Sequence, residues 1–151
     1  MSVFSFAETP WVELGFTDNK KMYKGFQYNS VDPYFFNTMG LNMEAGRSFS
    51  PDNTADASTA AIVNDAFVKE FGLVDPIGKK LPGPFDQQII GVVKDFNFLS
   101  VQDKIRPLVM TVRPDSIIRH SEKVSFELPP KPTISVRLKS GNISANVEVL
   151  R

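Results

Sequence analysis

The chain has 151 residues, 42% of them hydrophobic, with 17 basic side chains against 17 acidic ones and no cysteine. That hydrophobic share lets one domain, or two small lobes sharing a connection, bury a core, and the charge balance gives no field for nucleic acid or an anionic membrane. The missing thiols exclude disulfides and thiolate metal sites.

Ser2-Val3-Phe4-Ser5-Phe6 alternates polar and apolar residues as a half-buried strand does, and a chain that opens within a strand reads as a piece of a longer one. Residues 8–21 carry Pro10 and Gly15 among polar neighbours and predict a loop anchored by Trp11, Leu14 and Phe16. Residues 23–30 alternate again and predict a strand. Asp32-Pro33 opens a helix, because Asp caps it and proline at the first helical position gives up an N–H that had no partner. Gly40 closes that helix. Residues 41–49 predict a short strand that bends at Gly46-Arg47, and residues 50–59, rich in Ser, Pro, Asp and Asn, predict a solvated loop.

The central stretch, residues 60–100, reads as strand, capped helix, turn and strand. Ala61-Ile62-Val63 is a short apolar run with β-branched residues, and Asn64 after it is an N-cap whose side-chain oxygen can accept from the first turn. Asp65 suits the helix dipole, Phe67 and Phe71 share a face, and Gly72 follows as the residue past the end. Asp75-Pro76-Ile77-Gly78-Lys79-Lys80-Leu81 is a turn built from Pro and Gly, and Gln88-Ile89-Ile90-Gly91-Val92-Val93 is a buried strand that residues 94–98 continue through a bend. Pro107 opens the next strand, which runs to Val112. Residues 115–131 are weakly patterned and end in the stiff connector Pro129-Pro130-Lys131-Pro132. Residues 133–138 alternate strictly as a half-exposed strand, and a helix starts near Ile143.

Thirteen phenylalanines against one tryptophan and one histidine point to a Phe-rich core, with an exposed contact patch as the alternative. No apolar run approaches the roughly 20 residues of a membrane helix. Chemistry is hard to find. His120 sits between Arg119 and Ser121 as a solvated residue, no Gly-x-Ser-x-Gly elbow is present, and zinc would need more His or Cys. Asp52-Asn53-x-x-Asp56 has calcium-loop letters without the spacing or terminal Glu of such a loop, and reads as a plain loop. Gly78-Lys79-Lys80 lacks the remaining residues of a phosphate loop and precedes a strand, so it reads as a turn. Asn142-Ile143-Ser144 matches a glycosylation triplet, but Asn142 is the natural cap of the last helix. These residues predict no catalytic group, no cofactor and no metal.

Five motifs in order carry a resemblance: residues 31–41 (VDPYFFNTMGL), 45–49 (AGRSF), 61–67 (AIVNDAF), 75–81 (DPIGKKL) and 90–96 (IGVVKDF). Together they resemble the extracytoplasmic core domain of MacB-like, FtsX-related ABC transporter permeases, in the style of the Bacteroides group. The order and spacing match over residues 23–112, and residues 133–151 look like the strand and helix that lead back to the membrane. The resemblance implies an α+β fold in two lobes. Residues 1–30 and 116–151 would form a membrane-proximal split α+β lobe, whose opening strand and helix in family members would precede Met1. Residues 31–115 would form a smaller inserted mixed α/β lobe. It also implies a periplasmic domain at the inner membrane, moved through transmembrane helices by a cytoplasmic ATPase subunit, and partnered by a permease dimer mate and a periplasmic adaptor or envelope protein. Phe96, Phe98 and Leu99, in the turn after Lys94, are the candidate partner contact. The competing reading is a stand-alone envelope module binding an apolar ligand or peptide; an enzyme comes third.

Overall fold

The computed structural model describes residues 12–97, 102 and 104–126. In chain order these hold β1 (Val12–Thr17), β2 (Tyr23–Ser30), α1 (Phe35–Met39), β3 (Met43–Gly46), α2 (Asp56–Thr59) and β4 (Ala60–Asn64). They continue with α3 (Asp65–Glu70), β5 (Gln88–Val93), β6 (Leu108–Thr111), α4 (Asp115–Ile118) and β7 (Lys123–Phe126). The fold is α+β. No helix among the described residues is long and apolar enough to cross a membrane.

All the strands join one seven-stranded sheet in the order β3-β5-β4-β6-β2-β1-β7. The β4–β5 and β2–β6 ladders are parallel and the others antiparallel. Strand β4 is buried along its whole length, as a central strand with both faces covered must be, which is why its sequence is a continuous apolar run. The boundaries expected at residues 30/31 and 115/116 fall at the end of β2 and inside α4, and β2 of one expected unit pairs with β6 of the other in this sheet.

Each face has its own core. On one, Leu14, Phe26 and Val63 lie under Phe67 of α3, Ile117 of α4, and Leu81 and Phe85 from the loop before β5. Its aromatic rings interlock: Phe67 stacks on Phe71 at 4.3 Å between centroids, and Phe26 meets Phe67 and Phe85 edge-on at 5.6 and 5.5 Å. On the other face Ile62, Val93, Leu108 and Met110 pack against Phe36 of α1 and Phe49. Every phenylalanine from Phe16 to Phe96 is buried or half-buried, so over that stretch the Phe-rich composition serves the core. Among the described residues the exposed large apolar side chains are Met22, Tyr23, Tyr34, Val74 and Ile77.

Several local readings agree with the structure: the strand at 23–30, the helix ending at Gly40, the bend at Gly46, the capped helix α3 and the strands at β5 and β6. Others need correction. The loop expected over residues 8–21 contains β1, where Val12, Leu14 and Phe16 are buried at alternate positions. Gly15 hides this pattern. It serves a close approach, since a Cβ there would lie 2.1 Å from the Tyr23 hydroxyl oxygen of the neighbouring strand. The solvated loop at 50–59 includes α2 with a buried Asp56. Strand β5 stops at Val93 instead of continuing, because the Asp95 carboxylate turns to accept the Ala66 N–H of α3 at 2.9 Å. Residues 115–126 form α4 and β7, short elements that register through partners more than through pattern. The readings for residues 2–6, 129–132, 133–138 and the helix near 143 lie outside the described residues.

Candidate functional site

The expected contact turn leaves the end of β5. Phe96 is half-buried and packs against the second core cluster beside Val93, so its ring serves the interior as well as the surface. Lys94, two residues before it, lies 3.7 Å from Glu44 on the sheet edge. Phe98 and Leu99 lie outside the described residues.

The turn is tied to α3 by Asp95, which accepts the Ala66 N–H at 2.9 Å, and a polar joint stands at the end of β4. Asn64 Oδ1 accepts the Phe67 N–H at 3.0 Å, the predicted cap, and also the Leu108 N–H at 2.9 Å. Its Nδ2 donates to the Arg106 carbonyl at 3.0 Å. One carboxamide therefore fixes the start of α3, the end of β4 and the start of β6.

A second polar cluster lies in the loop between β3 and α2. Arg47, just after β3, donates from Nη1 and Nη2 to the two oxygens of Asp56 at 2.6 and 2.9 Å. The same carboxylate accepts the Ser50 N–H at 3.0 Å and Asn53 Nδ2 at 2.9 Å. The Arg47 hydrogen bonds hold the Asp56 carboxyl below its ordinary range, aided by the Ser50 N–H and opposed by burial. With its oxygens taken up by protein donors, Asp56 is a structural anchor and not a cation ligand. The Asp-x-x-x-Asp spacing gave a signal, but Arg47 nine residues before it decides the role.

The remaining sequence candidates sit apart. His120 is exposed at the end of α4. Lys79 Nζ donates to the Val74 carbonyl and Lys80 Nζ lies 3.3 Å from Asp86, so both lysines brace the turn that carries them. Among the described residues, no group of three or more His, Asp or Glu converges as a metal site would require. A groove of about 570 Å3 runs between the β1–β2 hairpin, the end of α3 and Gly83, with Asp18, Lys20, Lys24, Glu70 and Glu122 around it. Mixed charges on an open rim give it no directed chemistry.

The family model described as the MacB-like periplasmic core domain matches residues 4–148. Among solved structures, the periplasmic region of MacB from Actinobacillus actinomycetemcomitans is 14% identical with a TM-score of 0.57; the match covers 94% of this chain and 61% of that one. A domain of a putative permease protein from Porphyromonas gingivalis is 13% identical, TM-score 0.49, over 95% of this chain and 67% of that one. The extracellular domain of the noncanonic ABC-type transporter YknZ from Gram-positive bacteria is 14% identical, TM-score 0.45, over 70% of this chain and 54% of that one. No curated protein matches. The chain spans about three fifths of the length of the MacB region it matches. At that identity the structural likeness speaks for the fold, and the family match covers nearly the whole sequence: the chain belongs to the MacB-like periplasmic core domain family.

Proposed function

We propose that this domain is the extracytoplasmic part of an ABC transporter permease at the inner membrane, facing the periplasm, and that it works by relaying movement. In this reading ATP is hydrolysed by a separate cytoplasmic subunit or domain. Transmembrane helices on either side of the segment carry the resulting motion to it, and it opens and closes against a permease dimer mate, acting on a cargo, an adaptor or another envelope protein. The domain itself carries out no reaction. The family match over residues 4–148 is the observation that carries the reading.

A relay has to be stiff between its input and its output. Residues 1–30 and 116–151 are the membrane-proximal unit of this proposal, and residues 31–115 the inserted one. The sheet supports their moving as one body: β2 and β6 pair across the boundary, and Leu14 and Phe26 from one unit share a core with Phe67 and Phe85 from the other. Output is assigned to the turn with Phe96, Phe98 and Leu99. The test is the complete gene, which should encode apolar spans of about 20 residues on both sides of this segment. Flanks without such spans would overturn the proposal.

A further inference from the structure

Val12 of β1 stands across from Phe126 of β7, so the segments before Val12 and after Phe126 meet the sheet at one end. The β1–β2 turn, residues 18–22, stands at the other end, beyond the Thr17–Tyr23 pair. Strand directions bring a second loop there. Since β6 runs parallel to β2, β4 antiparallel to β6 and β5 parallel to β4, the turn with Phe96 leaves β5 at the hairpin's end of the sheet.

The hairpin turn is braced from within. The Asp18 N–H donates to the Met22 carbonyl and the Lys21 N–H to the Asp18 carbonyl, both at 2.9 Å, while Asp18 Oδ1 accepts the Lys20 and Met22 N–H groups at 2.8 and 2.9 Å. In this frame Lys21 takes the left-handed position, φ +57°, which short hairpin turns favour for glycine. A lysine held there at a conformational cost, exposed and, among the described residues, without an ion pair or side-chain hydrogen bond, serves something other than the fold. Lys20 beside it is exposed and unpaired in the same way, and Met22 and Tyr23 are 56% and 47% exposed. The Tyr23 ring covers Gly15, with Lys123 Nζ 5.7 Å from its centroid. The adjoining acids are taken up by hairpin donors: Asp18 by its own turn, and Glu122 by the Thr17 N–H and hydroxyl at 3.0 and 2.8 Å. An apolar tip flanked by free cations is what this end of the sheet presents.

We propose that this hairpin tip docks an acidic protein surface, Met22 entering an apolar recess whose rim carboxylates pair with Lys20 and Lys21. Only the orientation of the tip away from the bilayer rests on the transporter reading; docking is tested on the chain alone, so the two fail separately. The capped peptide Glu-Glu-Leu-Glu-Glu, titrated into the full chain and followed by amide chemical shifts, should move Met22 and Tyr23 saturably, and added salt should weaken it. The double variant Lys20→Gln, Lys21→Gln and the single variant Met22→Ser should each lower its affinity about fivefold. Lys21→Gly separates docking from folding, since it should raise the melting temperature while weakening the peptide. A lower melting temperature for Lys21→Gly, unchanged affinity in the double variant, no saturation by about 10 mM, or equal binding of the capped peptide Lys-Lys-Leu-Lys-Lys would overturn the inference. So would a stronger response of Met22 and Tyr23 to phosphatidylglycerol vesicles than to the acidic peptide, which would make the hairpin a lipid contact.

Discussion

Arg47 grips both oxygens of Asp56, at 2.6 and 2.9 Å, across the loop that joins β3 to α2. The two ends of the clasp are unlike: the Arg47 side chain is 51% exposed and that of Asp56 only 5%. Water can resolvate the arginine's place but not the aspartate's. Arg47→Ala should therefore cost about 1–2 kcal/mol, and Asp56→Ala about 2–4 kcal/mol because Ser50 and Asn53 also lose their acceptor. Since Asp56 is held below its ordinary carboxyl range in the folded state, the stability it contributes is present above the unfolded value of about 3.9 and is lost as pH falls below it. Urea unfolding of wild type and Arg47→Ala should show a stability gap at about pH 6 that narrows at about pH 3. A gap of constant size would show that the ion pair contributes nothing beyond packing.

Asn64→Ala should cost about 2–3 kcal/mol, more than the roughly 1 kcal/mol of an ordinary cap, because the same side chain also closes the β4–β6 junction. Asn64→Asp keeps an acceptor for Phe67 and Leu108 but turns a second oxygen toward the Arg106 carbonyl that now receives a donor, so an intermediate cost is expected. Hydrogen exchange separates the two roles. In Asn64→Ala the amides of Phe67 and Leu108 should lose protection together, and a loss confined to Phe67 would reduce Asn64 to a cap alone.

What a sequence reveals here depends on how far apart the interacting residues are. The Asn64 cap is legible because its partner Phe67 is three residues on, whereas Leu108, bonded to the same oxygen, is 44 away. Strand β1 is obscured because Pro10 and Gly15 are ordinary loop letters, and the reason for Gly15 is the Tyr23 ring on the next strand. Asp56 looks like one more polar loop residue until Arg47 is placed against it. The sheet order is set by the parallel β2–β6 pairing, which joins residues about eighty positions apart and leaves no local trace. In the turn after Lys94, Phe96 is legible as an apolar residue in a polar bend, while its packing against the core cluster that holds Phe36, Val93 and Met110 depends on segments distant in the chain.

Gly46 and Gly72 both have left-handed backbones, at φ +70° and +59°, and separate two costs that such positions usually mix. A Cβ at Gly46 would lie 2.2 Å from the Ile90 carbonyl oxygen and 2.9 Å from Gly91 Cα, backbone atoms of the neighbouring strand that cannot yield without opening the β3–β5 ladder. At Gly72 nothing lies within 4 Å. Gly72→Ala should cost about 1–2 kcal/mol from conformation alone, and Gly46→Ala about 3–5 kcal/mol with the clash added. Thermal unfolding of the two variants decides it: equal losses would mean that the sheet edge at β3 gives way freely.

Tyr28 offers the opposite limit of pH. Its ring is buried and its hydroxyl lies 2.8 Å from Thr111 Oγ1, which itself donates to the Arg113 carbonyl at 3.1 Å. Burial, with a smaller push from the Asp115 charge, raises the phenol to about 12 against the lowering effect of the Thr111 and Ser30 hydrogen bonds. An acid whose value is raised in the folded state keeps its full contribution below the unfolded value of about 10 and loses it as pH climbs toward the folded one. Two units correspond to roughly 2–3 kcal/mol. At neutral pH, Tyr28→Phe should be less stable than wild type by about 1 kcal/mol through the lost hydrogen bond. Near pH 11.5 that order should shrink or reverse, since only the wild type has this phenol to ionise and the other titrating groups are common to both chains. Denaturant unfolding of the pair at about pH 7 and about pH 11.5 measures the change directly, and a difference that does not move with pH would place the Tyr28 hydroxyl in contact with water.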